Sequence, residues 1–124
     1  MTPTIHSVRR YSVQVLSKRA GNDRKCSIVV RLYNDADEDC GTAVFKDYDH
    51  KAAERPVGDF AAKRATAFYD ISFYQSFIDI LRVESELYWK IAWIQMAANR
   101  EVADVSLDTK KEIVGEFFQR PGDS

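Results

Sequence analysis

The chain has 124 residues, 45% of them hydrophobic and 30% charged, and a net charge of -1. That length fits one domain, burying roughly two thirds of the surface its unfolded chain exposes, and the composition excludes wholesale disorder and fibrous architectures. No apolar run approaches the ~20 residues needed to span a bilayer, and Met1 to Arg10 has no secretory apolar core, so a cytoplasmic location away from membranes is expected.

The near-zero net charge hides segregation along the chain. Residues 1–32 hold seven basic side chains against Asp23 alone, whereas residues 33–60 hold eight acidic ones against Lys46, Lys51 and Arg55. Cys26 and Cys40 stand without the second ligand pair a zinc site requires, and a cytosolic chain with an adequate core needs no disulfide, so both read as reduced structural residues.

In chain order, Ser7 to Ser17 alternates, with Tyr11, Val13 and Val15 on one face and Arg10, Ser12 and Gln14 on the other, the period of a half-buried strand. Lys18 to Lys25 reads as a turn around Gly21-Asn22, and Cys26, Ile28, Val30 and Leu32 define the core face of a second strand in the resulting hairpin. Asn34 to Gly41 is the next turn and Thr42 to Lys46 a short third strand, which completes a meander. Asp47 to Lys63 has no sustained period and contains Pro56 and Gly58; it reads as an irregular excursion with a turn of helix around Lys51 to Glu54. Ala65, Ala67, Tyr69 and Ile71 bring the chain back as a fourth strand whose small alanines imply a close-packed cover.

Ser72-Phe-Tyr-Gln75 has the form of a capping box and predicts a helix from Ser72 to Val83. Tyr74, Phe77, Ile78 and Leu81 then form one apolar stripe for burial against the sheet. Leu87, Trp89, Ile91 and Trp93 alternate with Tyr88, Lys90, Ala92 and Ile94 as a fifth strand, although 87–99 also has a helical spacing at Tyr88, Ile91 and Ile94. A turn at Asn99-Arg100 joins it to Val102–Thr109, with Ala103, Val105 and Leu107 on one face. Ile113, Val114, Phe117 and Phe118 close the domain, and 119–124 reads as a disordered tail.

Phe77-Ile-Asp-Ile-Leu-Arg82, the Glu84 to Tyr88 segment and Leu107-Asp-Thr-Lys-Lys-Glu-Ile-Val-Gly-Glu116 together resemble a family of small uncharacterised bacterial proteins. In that family a helix reading roughly DLLRNEKP-Y precedes a terminal strand reading LSTxxEPVGE. The resemblance implies the same helix-then-strand order and, the family having no established activity, carries over no catalytic residue.

Candidate chemistry is sparse. Asp35-Ala-Asp-Glu-Asp39 spaces carboxylates like the start of a calcium loop, but Cys40 stands where glycine is needed and Lys46 where the bidentate glutamate is needed, so it reads as a solvated turn. His6 and His50 have no second ligand at metal spacing, and no serine has nucleophile-elbow punctuation. The Cys40 thiol, placed at a hairpin turn, has an acidic neighbourhood that opposes a reactive thiolate.

Two surfaces remain. Sheets that bind single-stranded nucleic acid pair a basic groove with stacking aromatics, and Arg9, Arg10, Lys18, Arg19, Arg24 and Lys25 with Tyr33, Trp89 and Trp93 form such a set. A meander also leaves edge strands, which must be paired, covered or charged. The expectation is thus an α+β domain over 1–118, with a mostly antiparallel sheet of about six strands and one main helix packed on one face, in the order β-β-β-β-α-β-β. It is expected to act as a non-enzymatic binding or assembly module that self-associates as a dimer or takes a protein partner, with no catalytic residue, cofactor or metal. The alternatives are a single-stranded nucleic-acid-binding domain and a small-molecule or enzyme site under the 47–63 excursion.

Overall fold

The computed structural model describes residues 2–17 and 26–109 and has an α+β fold, rich in antiparallel strands, with one α-helix. Eight strands are present among the described residues: β1 (Thr4–Ser7), β2 (Arg10–Ser17), β3 (Cys26–Tyr33), β4 (Asp39–Lys46), β5 (Val57–Asp59), β6 (Arg64–Asp70), β7 (Tyr88–Met96) and β8 (Asn99–Asp108). A 3-10 turn over Ile71–Phe73 leads into α1 (Tyr74–Val83), between β6 and β7.

The strands form two sheets rather than one, a three-stranded sheet in the order β1-β7-β8 and a five-stranded sheet in the order β2-β3-β4-β6-β5. The chain crosses between them at Val8-Arg9, where the Val8 amide donates to the Leu87 carbonyl and the Arg9 amide to the Tyr33 carbonyl, both at 2.8 Å. What alternation presents as one strand from Ser7 is therefore two strands broken at a corner. At the other side, β8 packs against β5 and β6, so the smaller sheet folds over the inner face of the larger one.

The excursion does not simply loop out. It carries the chain back past β4, contributes β5 as an edge strand antiparallel to β6, and lets β6 run parallel to β4 with Gly41 opposite Ala65 and Phe45 opposite Tyr69. Parallel neighbours need a long crossover, and 47–63 supplies it; no helix forms at Lys51–Glu54.

The core lies between the layers. Val30, Leu32, Ala43, Phe45, Ala65 and Ala67 on the large sheet meet Trp89, Ile91, Trp93 and Val102 on the small one, and Phe77, Ile78 and Leu81 of α1. The helix stripe is thus buried as its spacing predicts. Phe45 is its anvil, in edge contact with Phe77 at 5.2 Å and Tyr74 at 5.4 Å and stacked on Tyr69 at 5.4 Å. Offset and edge-on aromatic pairs of this kind add to area burial.

The cap differs from the predicted one. Asp70, not Ser72, holds the entry to the helix: one carboxylate oxygen accepts from the Ser72 amide (3.0 Å) and the other from the Tyr48 amide (3.3 Å), while Gln75 turns away to donate to Asp79 (2.9 Å). The 3-10 turn shifts the first orphan amides back by two residues, within reach of Asp70.

The 87–99 ambiguity resolves as strand. β7 and β8 form a hairpin whose turn is Ala97-Ala98, with Ala97 at φ 51°, and Asn99 and Arg100 already belong to β8. A bulge opposite Ala92/Trp93 makes Ala103 the extra residue on β8. The alternation flips there, so Val102 is buried while Ala103 is exposed.

Candidate assembly surface

An unshielded strand edge is a template for strand addition, so what shields each edge decides where another chain can pair. β1 has four residues and follows Pro3, and β5 has three, follows Pro56 and ends in Asp59. β8 is long, but it is bulged, carries Arg100, Glu101, Asp104 and Asp108, and packs against β5 and β6.

From Tyr11 onward, and among the described residues, β2 has none of these devices. Its eight residues pair in unbroken antiparallel register with β3, from Arg10 opposite Tyr33 to Ser17 opposite Cys26, and among the described residues no strand lies on its other side. From Tyr11 to Ser17 it contains no charge and no proline. Val13, Val15 and Leu16 are exposed to 42%, 65% and 41%.

The exposure of Val13 and Val15 corrects the half-buried reading of this strand. Their parity does place them on the inner face, beside Val30 and Ile28. Among the described residues the covering layer reaches Tyr11, which packs against the core cluster, and goes no further along β2. Alternation identifies a face; it cannot tell whether anything covers it.

One end of this edge is anchored. The Arg10 guanidinium lies 4.0 Å from the centroid of the Tyr33 ring, and its Nε donates to Asp37 at 2.6 Å. That contact holds the Asp37 carboxyl below its ordinary range and raises Arg10. The acidic turn is built around Asn34, whose side-chain oxygen accepts from the Ala36 and Glu38 amides, both at 3.0 Å. Asp39 accepts from the Gly41 amide at 3.1 Å, so these carboxylates serve different partners instead of converging as in a calcium loop.

The nucleic-acid set is only partly assembled. Trp89 and Trp93 are 0% and 5% exposed, with Trp93 donating its indole N–H to the Thr4 hydroxyl at 2.8 Å, so neither offers a ring for a base to stack on. Alternating aromatics in this chain mark the core, which corrects that part of the expectation. Arg9 is exposed and Arg10 and Tyr33 are engaged with each other, while Lys18, Arg19, Arg24 and Lys25 lie outside the described residues.

The excursion spends its polar side chains locally. Glu54 accepts from Lys46 (3.2 Å) and from the Tyr48 hydroxyl (3.1 Å), and burial, followed by Glu54, raises the Tyr48 pKa. An open depression of about 400 Å³ lies beside it, lined by Asp39, Thr42, Asp59, Arg64 and Thr66 among others. Among the described residues no three His, Cys, Asp or Glu side chains are grouped to hold a metal, and no helix is long and apolar enough to cross a membrane. Cys40 is 1% exposed, not at an open turn, and burial pushes its thiol up to about 12, which makes it unreactive. His6 is a structural donor, its Nε2 contacting the Lys63 carbonyl at 2.5 Å.

Compared with known proteins, the chain matches no family model, no curated protein and no solved structure.

Proposed function

We propose that this protein is a non-enzymatic assembly module that self-associates by strand addition at β2. The observation that carries this reading is the contrast among the strand edges: β1, β5 and β8 are short, proline-flanked, bulged, charged or packed, whereas β2 is long, regular and, from Tyr11 to Ser17, uncharged, with three exposed aliphatic side chains. Strand addition satisfies the outward backbone amides and carbonyls of β2 and covers Val13, Val15 and Leu16 in one step.

Light scattering on the purified chain tests it. At high micromolar concentration the wild type should approach twice the mass of one chain, and Val15→Lys should return it to the monomer with its circular dichroism unchanged, since Val15 is 65% exposed. A wild type that stays strictly monomeric sinks the proposal. The nucleic-acid reading is the weaker of the two, because the aromatics it needs from β7 are in the core and Arg10 and Tyr33 are occupied with each other.

A further inference from the structure

The self-pairing just proposed leaves open how two copies meet, and the geometry of β2 narrows the answer. A second copy of β2 is the one described edge that matches its uncharged run from Tyr11 to Ser17; β1 and β5 are too short to span it, and β8 is charged and packed against β5 and β6. Like edges pair most simply across a two-fold axis, which closes the assembly at two copies.

For antiparallel strands that axis stands normal to the sheet and leaves its two faces unchanged, while residues directly opposite each other share a face. Only residues of equal parity can then oppose one another. The symmetric registers that overlap most of β2 are centred on Val13, Gln14 or Val15.

Centring on Val13 sets Arg10 of each copy opposite Leu16 of the other, although Arg10 is already committed to Asp37 and the Tyr33 ring. Centring on Val15 sets Tyr11 and Ser12 opposite no residue of β2. Centring on Gln14 opposes Val13 to Val15 twice on the inner face and Ser12 to Leu16 twice on the outer face, with Tyr11 opposite Ser17 and Arg10 beyond the paired stretch. Both exposed valines are matched, and no charge enters the paired stretch.

We infer that two copies join through β2 about a two-fold axis at Gln14, with Val13 of each opposite Val15 of the other, so that two five-stranded sheets become one continuous sheet of ten strands. This rests on the assembly reading and adds its partner geometry.

Cysteine pairing separates the registers, because directly opposed residues fall within disulfide reach and residues offset by two do not. Val13→Cys and Val15→Cys are made in a Cys26→Ser background, which leaves the buried Cys40 as the sole native thiol. Under mild oxidation a mixture of the two variants should yield covalent dimer, and either variant alone should yield essentially none. Covalent dimer from Val13→Cys alone, or from Val15→Cys alone, overturns the register and leaves self-assembly at β2 standing. A wild type that is dimeric by light scattering with no cross-link in any sample puts the contact elsewhere and overturns both, as does a strictly monomeric wild type.

Discussion

At the scale of single residues, Gly41 shows how close the layers sit and Asp70 what holds the helix entry. A Cβ on Gly41 would overlap the indole of Trp89, the fully buried ring that the small sheet lays across the start of β4. Trp89 has ring atoms here and its Nε1 has no hydrogen-bond partner, so there is no flexible end to move aside. Gly41→Ala should cost about 1–3 kcal/mol, the range for overpacking a dense core, read as a lower urea midpoint beside a control at the exposed Val83, Val83→Ala, that barely shifts. Asp70 is the second position. The Ser72 hydroxyl and amide, and then the Tyr48 amide, hold its carboxyl below the ordinary range. A lowered folded pKa contributes stability that is complete above the unfolded value of about 3.9 and is lost as pH falls through the folded value. The melting-temperature advantage of wild type over Asp70→Asn should therefore be constant near neutrality and shrink on acidification below about pH 4; an advantage that grows on acidification contradicts the assignment. The Ser72-to-Gln75 pattern looked sufficient as a cap. Asp70 took the role because the 3-10 turn moves the free amides, a local geometry that residue types alone do not express.

Among the elements, α1 follows its sequence most closely. Its spacing put Phe77, Ile78 and Leu81 on one stripe, and all three are buried. Phe77 touches both Phe45 and Tyr69, so Phe77→Ala should cost about 3–5 kcal/mol, the range for truncating a buried aromatic, measured by denaturant unfolding; a loss under 1 kcal/mol would mean that the aromatic cluster does not hold the helix. Strands were legible where alternation ran undisturbed, as in β3 and β7. They were misread where a bulge or corner interrupts the period: Ala103 reverses the facing of β8, and Val8-Arg9 divides β1 from β2. β5, three residues long, is below the length at which a period can be seen.

For the whole molecule, the proposed assembly surface lies within the basic segment of the sequence but excludes its charges. The paired stretch of β2 contains no ionisable side chain except Tyr11. Self-association should thus change little as salt rises through the range that screens exposed charges, whereas binding to nucleic acid through the arginines would weaken steeply by counterion release. Sedimentation at low and high salt distinguishes them, and a dimer that dissociates with salt would place the contact on the charged turn instead of β2. The proposed assembly surface was half legible. The run from Tyr11 to Ser17 shows its lack of charge and proline in the sequence, but its valines looked like core until the cover over them could be seen to end.

The sequence by itself determined the α+β class, the helix and its buried stripe, and most strands, because periodicity and propensity are local properties of the chain. The tertiary structure decided that the described strands form two sheets, that β4 and β6 run parallel, that Trp89 and Trp93 are inside, and that among the described residues β2 is an uncovered edge. Those outcomes depend on which elements lie across from one another, and burial is a property of that meeting rather than of any stretch of sequence.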